Sequence, residues 1–107
     1  MNSAPEGLDP IAGFEPLLQA PARLQVMAVL AHVQEAEFTR LKDVTGASDS
    51  VMSKHLGALS GAGLIKLRKA TTAGRQRTWA SLTRIGRQRF QDHVAALQKI
   101  ILGDQVA

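Results

Sequence analysis

The sequence has no cysteine and no tyrosine, and aromatic residues make up only 4% of its 107 positions. Without cysteine there are no disulfides, no thiolate nucleophile and no cysteine-based metal site, and the composition suits a reducing cytoplasm, the expected location. One tryptophan and three phenylalanines leave the core to be built from Leu, Val, Ile, Ala and Met. A small aliphatic core of this kind gains stability from burying further surface in an oligomer. Long apolar runs are also missing. None approaches the roughly 20 residues that span a bilayer, so no membrane association is expected. The opening MNSAPEGLDP is acidic and lacks an apolar centre, so it does not read as a secretory signal. The length allows one domain with a modest core.

Acidic residues are scarce in one region. From Arg40 to Phe90 eleven Lys and Arg stand against two acids, Asp43 and Asp49, a net +9. The remainder has two basic residues, Arg23 and Lys99, against seven acids, a net −5, which gives the chain its +4. A basic middle between acidic ends predicts one surface that attracts polyanions, against the plainer alternative of a solvated basic face. Enzyme chemistry finds no foothold, and no catalytic residue is assigned. There is no glycine-rich phosphate loop and no matched pair of carboxylates. Gly61 and Gly63 flank an alanine in a helix-to-strand turn, not a dinucleotide fingerprint. His32, His55 and His93 are dispersed and do not compose a zinc site, so neither metal nor cofactor is expected.

What is present centres on Leu41 to Ile65, LKDVTGASDSVMSKHLGALSGAGLI. Gly46 can adopt the left-handed conformation that ends one helix and redirects the chain. Ser48 is a good N-cap for the next helix, and Asp49 places negative charge at its positive end. Met52, Leu56 and Leu59 form one apolar stripe, while Ser50, Ser53, Lys54 and Gly57 fall on the other side. This is a helix-turn-helix whose second helix shows small polar and basic groups outward, the face that enters a DNA major groove.

The flanking segments complete the reading. Asp9-Pro10 with Ile11, Phe14, Leu17 and Leu18 predicts an N-terminal helix. It packs either against a partner or on the chain's own core. Pro21 starts a helix to about Val33, Glu35 to Glu37 form a linker, and Phe38 plugs the core. Thr39 caps a helix over Arg40 to Thr45 with Leu41 and Val44 inward. After Gly63 the pattern has period two. Ile65 to Ala70 and Arg77 to Thr83 predict a β-hairpin with a long, basic tip over Thr71 to Gln76, and Trp79 covering the sheet. Thr83 caps a final helix, Arg84 to about Leu102, on which Phe90, Val94, Leu97 and Ile101 follow coiled-coil spacing. That stripe buries against a partner copy or folds back on its own domain.

Together Gly46-Ala47-Ser48, Ser53-Lys54-His55-Leu56, Leu59 and Ala62-Gly63-Leu64-Ile65 resemble the winged helix-turn-helix of small bacterial transcriptional regulators of the MarR/ArsR-like group. The likeness runs from about Pro21 to Phe90 and includes Leu82-Thr83 and Ile85-Gly86-Arg87, similar to the step by which that family leaves its wing. It implies that Ala20 to Leu24 open the winged domain and that the N-terminal helix packs on a partner subunit. It implies that His55 is a second-layer residue touching a phosphate, with simple packing as the alternative. Asp92-His93 resembles half of a metal-sensing pair whose other half is missing.

The fold class expected is therefore mainly α with a small β-hairpin (α+β), a winged helix-turn-helix with N- and C-terminal dimerisation helices. Residues 1–8 form a flexible tail and 9–107 one domain, with the helix-turn-helix at 39–62, the wing at 65–83 and the terminal helix at 84–102. The expected function is sequence-specific binding of double-stranded DNA by a homodimer, with repression as its outcome. A protein-docking module on the same fold is the alternative. Ser48, Asp49, Ser50, Ser53, Lys54 and His55 are assigned to the recognition helix. Arg40, Lys42, Arg68, Lys69, Arg75 and Arg77 are assigned to phosphate and wing contacts. Ile11, Phe14, Leu17, Leu18, Phe90, Val94, Leu97 and Ile101 are assigned to the dimer interface. No small-molecule effector is legible in the sequence.

Overall fold

The computed structural model describes residues 12–103, and Ile11 with the expected tail lies outside them. A short 3-10 helix, Pro16–Gln19, precedes α1 (Pro21–Leu30), β1 (Ala36–Glu37), α2 (Phe38–Thr45) and α3 (Asp49–Gly61). Strands β2 (Ile65–Thr72) and β3 (Arg75–Leu82) and the helix α4 (Arg84–Leu102) follow. The sheet is antiparallel with order β1-β3-β2. This is an α+β winged helix fold. Its core is aliphatic, as the shortage of aromatics requires: Met27, Leu30, Leu41, Met52, Leu59 and Leu64 are completely buried.

The helix-turn-helix forms where its punctuation directs. Gly46 ends α2 with φ +73°, and its N–H donates to the Lys42 carbonyl at 2.7 Å. That left-handed residue turns the chain without a Cβ penalty. The Ser48 hydroxyl then accepts from the Val51 N–H at 3.3 Å and caps α3. Met52, Leu56 and Leu59 go to the core.

Several expectations are corrected. The N-terminal helix is replaced by a turn at 12–13, extended backbone and the 3-10 helix. Gly13 sits at φ +89°, Pro16 has no N–H to give, and the Glu15 carboxylate accepts from the Leu17 N–H at 3.1 Å. Leu18 is 1% exposed in the chain's own core, so its side chain has no surface left for a partner. Leu17 packs partly buried against the same core. Helix α1 stops at Leu30, not Val33, which is exposed, because the chain must turn to reach β1. The linker at Ala36–Glu37 is a strand paired with Ala80 and Trp79. Helix α2 starts at Phe38, so Glu37, not Thr39, occupies the cap position and makes no side-chain cap bond. Val44 faces outward at 39% exposure.

The wing tip is shorter than expected. Thr71, Thr72, Arg75 and Gln76 are paired in the strands, and only Ala73-Gly74 form the turn, with φ +52° and +78°. Two successive left-handed residues match the right-handed twist of a hairpin.

The exit from the wing is a close joint. Thr83 Oγ1 accepts from the Gly86 N–H at 2.8 Å to cap α4, and donates to the carbonyls of Gly63 at 2.7 Å and Leu64 at 3.1 Å. Gly86 lies against the Leu64 backbone so tightly that a Cβ would sit 1.8 Å from the Leu64 carbonyl oxygen. Arg87 donates to the Ala31 carbonyl at 3.3 Å, just past the end of α1. The sequence step Leu82-Thr83-x-x-Gly86-Arg87 thus fastens α4 to the corner that follows α3.

On the same helix His93 is 1% exposed and its Nδ1 accepts from the Glu15 N–H at 2.9 Å. The Phe14 ring lies 4.9 Å away, and Arg89 donates to the Glu15 carboxylate at 3.0 Å. These contacts tie the segment before α1 to α4 within one chain. Burial pushes the His93 imidazole below the usual histidine range, and the Glu15 carboxylate opposes the shift.

Candidate nucleic-acid interface

The outer side of α3 is built by subtraction. Once Met52, Leu56 and Leu59 turn inward, helical geometry leaves Ser50, Lys54 and Gly57 pointing away from the core, all of them exposed. Ser53 is exposed on the flank nearest the wing, where it shares a depression with Phe38, Leu56, Gly57, Leu67, Lys69 and Thr78. Thr39, Gln76 and Arg77 continue that groove toward β1. The groove between α3 and the wing is therefore lined by hydroxyls and a lysine over a floor of Phe38 and Leu56. Phe38, read from the sequence only as a core residue, and Thr78 and Gln76 were not assigned to the site; strand register brings the last two beside Ser53.

Other assigned residues are committed elsewhere. Ser48 spends its hydroxyl on the cap, and Asp49 is ion-paired with Lys42 of α2. This pair offsets a carboxylate that would otherwise repel a phosphate at the end of α3 that leads into the groove. Arg40 is exposed on α2. His55 lies on the opposite flank of α3 from Ser53, half-buried, and its Nδ1 accepts from Arg23 Nε at 3.0 Å. Arg23 also donates to the Leu17 carbonyl at 3.4 Å. The neutral ring must then carry its proton on Nε2. Desolvation, and the Arg23 guanidinium beside it, hold the imidazole below its ordinary range. Arg23 was not assigned to the site because it lies in the acidic part of the sequence.

The wing sorts its cations by strand parity. Lys69 pairs with Thr78 and Thr71 with Gln76 on the side that continues from buried Ile65 and Ala80. Arg68, Arg75 and Arg77 have the other parity, with Trp79. Arg68 forms a two-pronged bond to Glu35, at 2.7 and 2.9 Å, and its guanidinium stands 5.8 Å from the Trp79 ring centre. That bond holds the Glu35 carboxyl below its usual range and raises Arg68. Arg77 pairs with Glu37 at 2.5 Å. Lys69, Arg75 and Lys54 have no acidic partner among the described residues. No group of three or more metal-ligating side chains occurs among the described residues.

A family model described as a winged helix DNA-binding domain matches residues 22–101. The chain belongs to that family. An uncharacterized protein of Methanocaldococcus jannaschii is 26% identical over 78 residues, which are 73% of this chain and 85% of that protein. A transcriptional regulator homologue from Pyrococcus horikoshii OT3 has the same fold, with a TM-score of 0.76 at 26% identity over 85% of this chain and 90% of its own. The putative transcriptional regulator ytfH from Salmonella typhimurium shares the fold at a TM-score of 0.67 and 19% identity, over 81% of this chain and 77% of that one. The winged helix read from Gly46 to Ile65 thus extends over most of the chain. This winged helix protein carries a DNA-binding domain, which supports double-stranded DNA as its partner. No described helix is long and apolar enough to cross a membrane.

Proposed function

We propose that this winged helix protein binds a specific double-stranded DNA site as a homodimer and represses transcription by occupying it. The observation that carries the reading is the outward rim of Ser50 and Lys54 on α3, continuous through Ser53 with Lys69 on the wing. On this reading α3 enters the major groove, where Lys54 addresses guanine acceptors and Ser50 and Ser53 donate or accept. Lys69, Arg75 and Arg40 contact phosphates and supply affinity. Arg68 and Arg77 contribute less, because Glu35 and Glu37 already neutralise them.

The homodimer is supported by α4. Beyond its buried anchor at Gly86, His93 and Ala96, the helix leaves Ile100, Ile101 and Leu102 at 51%, 75% and 78% exposure. Phe90, Val94 and Leu97 are half-buried along the same helix. An apolar end this exposed on a single copy is an association surface. Pairing two copies through it gives two recognition helices for half-sites about one helical turn apart.

Fluorescence anisotropy across a salt series tests the reading, with one random duplex and one taken from upstream of the protein's own gene. The expected result is tight binding to the upstream duplex that falls steeply as salt rises. Absence of binding to both at low salt would refute it and favour a protein-docking module. Sedimentation of Ile101→Asp tests the dimer: dissociation is expected, and an unchanged mass would remove α4 from the interface.

A further inference from the structure

Helix α3 carries no Arg, Asn or Gln, the side chains that make two-pronged contacts to base edges. It does carry one apolar side chain that the fold leaves outside. Met52, Leu56 and Leu59 are 3% exposed or less, whereas Val51 is 44% exposed. Val51 stands in the first turn of α3, and its N–H is held by the Ser48 cap at 3.3 Å. Its neighbours on the helix surface are exposed Lys54, three positions on, and half-buried His55, four positions on. A β-branched side chain on a helix has one strongly preferred rotamer, so its two methyl groups are presented in a fixed direction. In the major groove the one apolar group that distinguishes a base pair is the thymine 5-methyl.

We propose that Val51 reads a thymine methyl group in the major groove and, with Lys54, sets the sequence preference of α3. The inference rests on the DNA-binding reading above. Lys54 lies three positions after Val51, about 4.5 Å along the helix axis, against about 3.4 Å per base step. The thymine therefore lies within two base steps of the guanine that Lys54 addresses. An isolated exposed valine ordinarily needs no explanation. Val51 differs in its place, on the first turn of the one helix whose exposed surface faces base edges, the end such helices use for readout.

The test begins by selecting a preferred duplex from a random pool with the intact protein. Each thymine of one half-site is then replaced in turn by deoxyuridine, which removes the 5-methyl and nothing else. Wild type is expected to lose about four-fold in affinity at one thymine, the worth of one buried methyl-sized group, and about fifteen-fold when both half-sites are changed. Val51→Ala, a change at an exposed position that leaves the core intact, is expected to bind the thymine and uracil duplexes equally. Val51→Thr, which keeps one methyl, is expected to retain part of the discrimination. Indifference of wild type to every thymine, or an undiminished loss in Val51→Ala, overturns the proposal while leaving DNA binding in place. A pool that yields no preferred duplex overturns sequence-specific binding and this inference together.

Discussion

Replacing Gly86 by alanine should damage the fold far more than a single methyl group suggests. The added Cβ would lie 1.8 Å from the Leu64 carbonyl oxygen and 2.7 Å from its carbon, and both are backbone atoms that cannot rotate away. Opening the first distance to 3.0 Å, the shortest that real Cβ atoms tolerate, moves the start of α4 by at least 1.2 Å. Overpacking of this kind costs about 1–3 kcal/mol. The movement also pulls Gly86 from the Thr83 hydroxyl, and loss of a cap adds about 1 kcal/mol. Together roughly 2–4 kcal/mol is expected, which for a domain of this size lowers the melting temperature by about 10–30 °C. Gly57→Ala is the matched control. Its Cβ would meet nothing within 4 Å, and removing a glycine from a helix interior stabilises by about 0.5–1 kcal/mol. Circular dichroism in a urea series, at one fixed protein concentration, reads both. A Gly86→Ala protein as stable as wild type would refute the close joint between α4 and the turn after α3.

Further expectations follow from the charges. His93 is held below its unfolded pKa, so its neutral form stabilises the fold; that contribution is present above about pH 6.5 and is lost as pH falls through the lower folded value. Urea midpoints taken from pH 8 to 5 should fall toward acid, and less steeply in His93→Gln; identical slopes would show that His93 is not involved. Arg75→Ala should lower the salt dependence of DNA binding by about one phosphate contact, whereas Arg68→Ala, whose partner is Glu35, should change it less. Equal effects would mean that DNA displaces Glu35. Lys54→Ala should weaken cognate binding more than random-sequence binding, and equal losses would make Lys54 a phosphate contact only.

Much of the helix-turn-helix could be read directly because its signals are local. Gly46, Ser48 and the stripe Met52, Leu56, Leu59 act within a few residues of one another, and the structure uses each of them as read. Strand β1 was not legible: Ala36 and Glu37 become a strand only by pairing with Ala80 and Trp79, more than 40 residues away. The segment before α1 failed for another reason. The spacing of Phe14, Leu17 and Leu18 fits a helix, but Gly13 in a left-handed conformation and the Glu15 side chain on the Leu17 N–H favour a tighter turn. Period-two pattern placed the wing strands yet misjudged the tip, because Ala73 at φ +52° is a residue from which a left-handed turn is not expected. Among the site residues, composition marked the basic ones without distinguishing Lys69, which has no acidic partner among the described residues, from Arg68 and Arg77, which are clamped by Glu35 and Glu37. Those acids sit outside the basic stretch and reach it only through the fold.

The joint at Thr83 and Gly86 also bears on how the protein measures DNA. Gly86 meets the Leu64 backbone there, and the short Thr83 side chain binds the carbonyls beside it, so the joint has no slack. In the dimer proposed above, the paired α4 helices would act as a ruler that sets the separation of the two recognition helices. An extra base pair between half-sites shifts one of them by about 3.4 Å along the duplex and turns it about its axis. A ruler without a hinge cannot follow both movements, so a dimer of this kind would tolerate mismatched bases within a half-site more readily than a change in the distance between half-sites.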